Sequence, residues 1–576
     1  MRPAPIAIAT VSLVLVALLA GCGGGDAPST TAASGGGPTA AACPAAESAA
    51  TPVQVAFRND TAAAITLAVD PGTWSCSDWS GDATPGSLQG VEVPPNGRVV
   101  TRPLTPATAG PQATPPGFTV QLVSGGTVVR SQELVLRQVG DGAIRCWAAP
   151  GTVGCPGFTS AVTLPDGTAA RVVSTPTEAR WRTPADNPVT LTPNGPGLGR
   201  QWLVTLGDSY MSGLGARWAG NTGGSTGAGW RRVDALGPRA YWDSPTGEKH
   251  PGCYRAPGGA PAHVGDDTAP SQNFACGGAT TRSFPGKKRV KPGVDFYAGA
   301  DGVGQLVDLR RFAMDHNVRM IAVSIGGNDL KFAAIVQSCL SSFLVSRAPT
   351  RRLCSEKSDK VRQALSPENV AKVTEEIRLA YRRIGTAMAE ADYAPDQYTV
   401  VALDYPDIIA PPALMKYREA PGIGRQVVGG CGMWDKDITW VQGTMLPTLA
   451  RAIDDAAAGS GLADVRRMRL AKQYVGHRLC EMGTELVPAP ATWRDAGAVE
   501  RAEWITQIRS LTAGFAPYDI DEGAHRNYWG NLSLRNCLRQ EWKAIASGSP
   551  SGNVECVPAG GVEAGGEPSM RLAPSP

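Results

Sequence analysis

Between about Thr51 and Asn194, apolar residues alternate with polar ones. Val53, Val55 and Phe57 are followed by Ile65, Leu67 and Val69, and then by Phe118, Val120 and Leu122, which face Val128 and Val129 across Ser124-Gly125-Gly126. A period of two marks strands with one buried face, and the Pro and Gly residues between the runs mark turns. The pattern predicts antiparallel hairpins forming an all-β, sandwich-like domain over 51–195. Trp74 and Trp79, in Trp-Ser-Cys-Ser-Asp-Trp, read first as core residues and second as a glycan or lipid platform.

After Pro196 the apolar runs become continuous. Gln201 to Leu206 runs into Gly-Asp-Ser, Met320 to Ile325 into Gly-Gly-Asn-Asp, and Tyr398 to Leu403 into Asp-Tyr-Pro. Runs without alternation read as parallel strands buried on both faces. Between them lie helical stretches: an amphipathic one over Val303 to Asn317, one capped by Ser366-Pro367-Glu368 and running through Val370 to Ala391, and one over Leu446 to Ala458 ending at Gly459. Alternating strands and helices predict a doubly wound α/β domain over 196–546, with sites beyond the carboxyl ends of the strands. Residues 547–576, rich in Gly and Pro, read as a tail.

The amino terminus reads as an export address. Arg2, an apolar stretch from Ile6 to Leu19 and then Leu19-Ala20-Gly21-Cys22 resemble a lipoprotein signal over 1–21, with Cys22 as the lipidated residue that anchors the chain to the membrane. Residues 22–50, rich in Gly, Ala, Ser and Thr, read as a flexible tether. Thirteen cysteines less Cys22 leave twelve, an even number that suits disulfides in an oxidising compartment. No CxxC or HExxH occurs, which argues against a metal site. With 54 basic and 51 acidic residues the net charge is +3, too small a field to suggest a nucleic-acid partner.

The strand-end motifs carry the candidate chemistry. Ser209 follows a strand and opens a helix, which suits a nucleophile; it needs a base, and of the five histidines His525 is the one preceded by a pair of adjacent acids, Asp521 and Glu522, and followed by Asn527-Tyr528-Trp529-Gly530. Asn328 offers an amide and Gly278 a backbone N–H to a developing oxyanion. His250, His263, His316 and His477 lack such surroundings and read as structural. Trp218, Trp230 and Trp242 read as a satellite core or an acyl-chain lid, and Lys287-Lys288-Arg289 as a solvated loop.

In order, Gly207-Asp208-Ser209-Tyr210-Met211-Ser212-Gly213, Ala275-Cys276-Gly277-Gly278-Ala279-Thr280-Thr281, Ser324-Ile325-Gly326-Gly327-Asn328-Asp329 and Glu522-Gly523-Ala524-His525-Arg526-Asn527 resemble the four blocks of SGNH (GDSL-like) hydrolases. Over roughly Leu198 to Trp542 the chain resembles most closely the secreted, disulfide-bonded lipases and esterases of high-GC bacteria. The resemblance implies a three-layer α/β/α fold with a five-stranded parallel sheet and no cofactor. It implies Ser209 as nucleophile, His525 as base, an oxyanion hole of the Ser209 and Gly278 amides with Asn328, and Glu522 as the acid behind His525, a role a backbone carbonyl fills in some relatives. It also implies the bridges Cys253–Cys276, Cys339–Cys354 and Cys431–Cys480, while spacing suggests Cys43–Cys76, Cys146–Cys155 and Cys537–Cys556. Two positions depart from the family: Gly277 stands where a Ser is usual, and Arg526 where a Pro follows the catalytic His. The expected activity is hydrolysis of carboxylic esters, of a lipid or an acylated glycan. Acyl transfer to a sugar alcohol is an alternative, and a non-catalytic envelope-binding lipoprotein is a reading of another class.

Overall fold

A computed structural model describes residues 43–44 and, with interruptions, 54–575; the interruptions are 82–83, 108–116, 140–141, 149–156, 175–187, 222–232, 259–260, 262–269, 287–288, 348, 421–422, 488–491, 496, 509–521, 550–551 and 564–565. Cys22, the Cys146–Cys155 pair, Trp230, His263, Lys287, Lys288 and Asp521 therefore lie outside the described residues or their described side chains. No helix among the described residues is long and apolar enough to cross a membrane.

The amino-terminal half contains two five-stranded sheets that share one core, in which Phe57, Leu67, Trp79, Phe118 and Trp147 are buried. The hairpin Gly117–Ser124 with Thr127–Val139 turns at Gly125 and Gly126, both at positive φ. Trp79 is fully buried and packs edge-on to Phe118 at 5.6 Å, so it serves the core rather than a binding platform.

The second half is built on a seven-stranded sheet in the spatial order Ser271–Asn273, Gln201–Gly207, Asn317–Ser324, Thr399–Leu403, Val465–Arg469, Val554–Val562, Pro568–Pro574. All neighbours are parallel except the last pair. Side chains of the central strands alternate between two cores. Met320, Ala322, Val401 and Leu403 pack on the side of the helix Tyr528–Ala546, while Ile321, Val323, Val400 and Ala402 pack on the side of the helices Gln305–Asp315, Pro367–Glu390 and Leu446–Ala458. Covering both faces explains the continuous apolar runs. Ser366 caps the long helix, its hydroxyl accepting from the Asn369 N–H at 3.2 Å.

Residues 547–576 are not a tail. Val554–Val562 and Pro568–Pro574 form an antiparallel hairpin that extends the sheet to one edge, and Cys556 is tied to Cys537 of the adjacent helix. The five-stranded parallel sheet is thus widened to seven strands. The β-sheet half meets the α/β half through Arg171–Asp392 (2.5 Å) and Arg58–Asp315 (3.4 Å). Asp315 precedes the strand Asn317–Ser324 and Asp392 the strand Thr399–Leu403, so this contact lies at the amino ends of the strands. The site described next lies at their carboxyl ends.

Candidate active site

Ser209 is the first residue of a single helical turn, Ser209–Ser212, directly after the strand Gln201–Gly207. Asp208 caps that turn, its carboxylate accepting from the Tyr210 N–H at 2.9 Å, and Gly213 ends it at φ 94. Asp208 is buried, and its other oxygen accepts from the Tyr405 hydroxyl at 2.5 Å. Burial raises its pKa to about 6, against the opposing hydrogen bonds from Tyr405 and the Tyr210 amide. Tyr405 follows the strand Thr399–Leu403 and also accepts from the Gly327 N–H at 3.0 Å, so it joins the Ser209 turn to the Gly326-Gly327-Asn328 loop. Sequence reasoning missed Tyr405, although its place just after a strand end marks it.

The structure brings His525 to Ser209. Its Nε2 lies 2.7 Å from the Ser209 hydroxyl, and its Nδ1 lies 2.9 Å from the Gly523 carbonyl. A carbonyl only accepts, so Nδ1 carries the proton and Nε2 is left to take one from the hydroxyl. Burial pushes the imidazole pKa down to about 4, the Gly523 carbonyl opposes this, and the neighbouring Arg526 cation adds to it. Thr506 holds the base loop in register: its N–H donates to the His525 carbonyl at 2.8 Å, and its carbonyl accepts from Ala524 at 3.1 Å.

Glu522, expected behind the base, faces elsewhere. Its Oε2 accepts from Trp218 Nε1 at 2.6 Å and its Oε1 from the Tyr241 hydroxyl at 2.5 Å. Ala524 adopts the left-handed conformation at φ 63, a turn that brings the Gly523 carbonyl to Nδ1 and leaves the Glu522 carboxylate to the insertion that follows the Ser209 turn. Trp218, buried there, is thus neither a lid nor plain core packing. Glu522→Gln is accordingly expected to lower turnover of p-nitrophenyl acetate by roughly tenfold or less, because it leaves the Nδ1 acceptor in place. A loss approaching about 10⁴ in folded protein would restore Glu522 as the orienting acid.

Gly278 (φ 76) and Asn328 stand on two adjoining loops. Cys276 is bridged to Cys253, the Gly277 N–H donates to the Cys253 carbonyl at 2.8 Å, and Asn328 Nδ2 donates to the Ala279 carbonyl at 2.9 Å. The Asn328 amide has a second hydrogen available beyond that bond. Asp329 steadies the same pair of loops by accepting from the Thr281 hydroxyl at 2.7 Å. Further bridges join Cys43–Cys76, Cys339–Cys354, Cys431–Cys480 and Cys537–Cys556. Among the described residues the one set of potential metal donors is Cys339, Cys354 and Asp437, and its two sulfurs are already joined in a disulfide. His316 stacks on Phe312 and His477 on Trp504, each with ring centroids 3.7 Å apart, which places both in structural roles.

No family model and no curated protein matches the chain. Among solved structures it is similar to an extracellular lipase from Streptomyces rimosus, at 16% identity over 61% of this chain and 100% of that one, with a TM-score of 0.31. It is similar to phospholipase A1 from Streptomyces albidoflavus at 19% identity over 60% of this chain and 100% of that one, also at 0.31. A family two carbohydrate esterase from Clostridium thermocellum is 11% identical over 88% of this chain and 94% of that one, at 0.25. At these scores the likenesses carry no argument, and the chemistry rests on the site.

Proposed function

We propose that the protein is a serine esterase that hydrolyses carboxylic esters through an acyl-enzyme on Ser209. The observation that carries this reading is the 2.7 Å contact between Ser209 Oγ and a His525 ring whose other nitrogen faces a carbonyl. In the first step Oγ attacks the ester carbonyl while Nε2 takes its proton, and the imidazolium then protonates the departing alcohol. Water repeats the sequence to release the acid. The Ser209 and Gly278 amides and Asn328 are the donors for the oxyanion, and Asn328→Ala is expected to cost on the order of 10² to 10³ in kcat with its fold retained by circular dichroism. Unchanged kcat would remove Asn328 from the oxyanion hole.

A small apolar recess is a candidate contact for a hydrocarbon acyl chain. It is lined by Phe332, Val336, Ile408, Ile409, Met433 and Ile438, beyond the carboxyl ends of the strands Asn317–Ser324 and Thr399–Leu403. Phe332 stacks on Tyr405 at 6.4 Å, which connects the recess to the nucleophile turn. Cys22, if lipidated, would hold the enzyme at the envelope, against ester-bearing lipids or acylated glycans. Incorporation of radiolabelled palmitate that survives Cys22→Ala would remove that anchor. The activity itself is tested with p-nitrophenyl esters of graded chain length: turnover that varies with acyl length is expected, and folded protein inert towards every ester would overturn the reading.

A further inference from the structure

Arg526 follows the base in sequence and is almost wholly buried, at 1% exposure. Its guanidinium donates to the carbonyl of Tyr210, the residue after Ser209, and through Nε to the Tyr474 hydroxyl at 2.6 Å; it also lies over the Tyr210 ring at 4.9 Å. Nη2 has no hydrogen-bond partner among the described residues, and the guanidinium meets the buried Asp208 carboxylate only through space, without a direct ion pair. An arginine is charged at any ordinary pH, and burying it without a carboxylate in direct contact is costly. Such a group persists where its position is over-determined. Tyr210 in turn donates through its hydroxyl to the Ala524 carbonyl at 2.8 Å, closing a loop of contacts around the imidazole.

We propose that Arg526 is a positioning residue for the Ser209–His525 pair: its guanidinium ties the loop bearing the base to the helical turn bearing the nucleophile, and it sets a fixed charge near the imidazole. This rests on the esterase reading above. The other groups around His525 do not supply a competing charge at Nδ1. From the nucleophile turn come Asp208, held by Tyr405, and Tyr210; from the base loop comes Glu522, held by Trp218 and Tyr241. From the remaining elements come the neutral phenol of Tyr474 and, beyond Thr281, the carboxylate of Asp329. Nδ1 is therefore backed by the Gly523 dipole, while the Arg526 charge lies 4.9 Å over the Tyr210 ring, whose centroid is 5.3 Å from that of the imidazole. A cation there disfavours the imidazolium, so it extends the neutral, proton-accepting form to lower pH.

The test is the pH dependence of fluorophosphonate labelling at Ser209, compared among wild type, Arg526→Met, Arg526→Lys and Tyr474→Phe. In wild type the acidic limb is expected below the ordinary histidine value. Arg526→Met should move that limb up by about half a pH unit, since burial of the ring remains, and slow the pH-independent rate on the order of tenfold. Arg526→Lys should keep the limb within about 0.3 unit, since the charge stays, yet label more slowly because a point charge cannot replace the fork. Folded Arg526→Met with the wild-type limb overturns the inference. Should that variant fail to fold, wild-type rates in both Arg526→Lys and Tyr474→Phe overturn it. A wild-type protein that does not label at Ser209 overturns the esterase reading and this inference with it, whereas normal labelling with an unmoved limb overturns this inference alone.

Discussion

Ser209→Ala is expected to lose turnover of p-nitrophenyl esters by on the order of 10⁶ and to lose all fluorophosphonate labelling at that position, with little change in stability. The magnitude follows from what the hydroxyl does rather than from what it packs against. In the proposed reaction Oγ is the bond-forming atom, and among the described residues the acceptor placed for its proton is His525 Nε2 at 2.7 Å. Removing Oγ leaves the oxyanion donors and the binding surface, which retain only a small part of the acceleration. His525→Ala should cost nearly as much, and the double variant should be no worse than either single one, because the two groups act as a unit. Additive losses, or labelling that persists in Ser209→Ala, would place the nucleophile elsewhere.

The elements that hold this pair were legible to different degrees. The strands Gln201–Gly207, Asn317–Ser324 and Thr399–Leu403 stand out as apolar runs because helices cover both faces of the sheet, and Ser366-Pro367-Glu368 marks the start of its helix through local hydrogen bonding alone. The sheet edge was not legible. Val554–Val562 contains Pro558, Gly560 and Gly561, which read as tail composition, yet its pairing with Pro568–Pro574 and the Cys537–Cys556 bridge hold it as a strand. Tertiary pairing overrides local composition here.

The site shows the same division. Ser209, Gly278, Asn328 and His525 belong to short motifs, whereas their supports are far away in sequence. Gln305, 98 residues from Gly207, accepts from the Gly207 N–H and donates to its carbonyl, at 2.8 and 2.9 Å. Trp218 and Tyr241 reach Glu522 from 304 and 281 residues away. Neither spacing nor periodicity encodes such pairings. Glu522 illustrates a related point: three residues before a base is a plausible distance for an orienting acid, but the left-handed turn at Ala524 places the Gly523 carbonyl at Nδ1 instead.

Gly207→Ala is expected to be the most damaging glycine change in the α/β domain. Gly207 has φ 123, a conformation in which a side chain is strained, and a Cβ there would lie 2.0 Å from the backbone oxygen of Ser324. That oxygen belongs to the paired strand and accepts from the Asp208 N–H at 3.1 Å, so it cannot move without breaking the register that seats the nucleophile turn. Gln305 fixes the Gly207 peptide from the other side, which blocks relief in that direction. Strained φ and overpacking each cost about 1 to 3 kcal/mol, so together they should destabilise the domain by about 4 kcal/mol. Gly548→Ala separates the two causes: Gly548 also has positive φ, at 68, but nothing lies within 4 Å of its Cβ position. Its cost should be about 1 kcal/mol, with labelling of Ser209 unchanged. Urea midpoints and Ser209 labelling rates of the two variants check this. If Gly207→Ala matches Gly548→Ala in both measurements, the close approach of the two strand ends is not what holds the nucleophile in place.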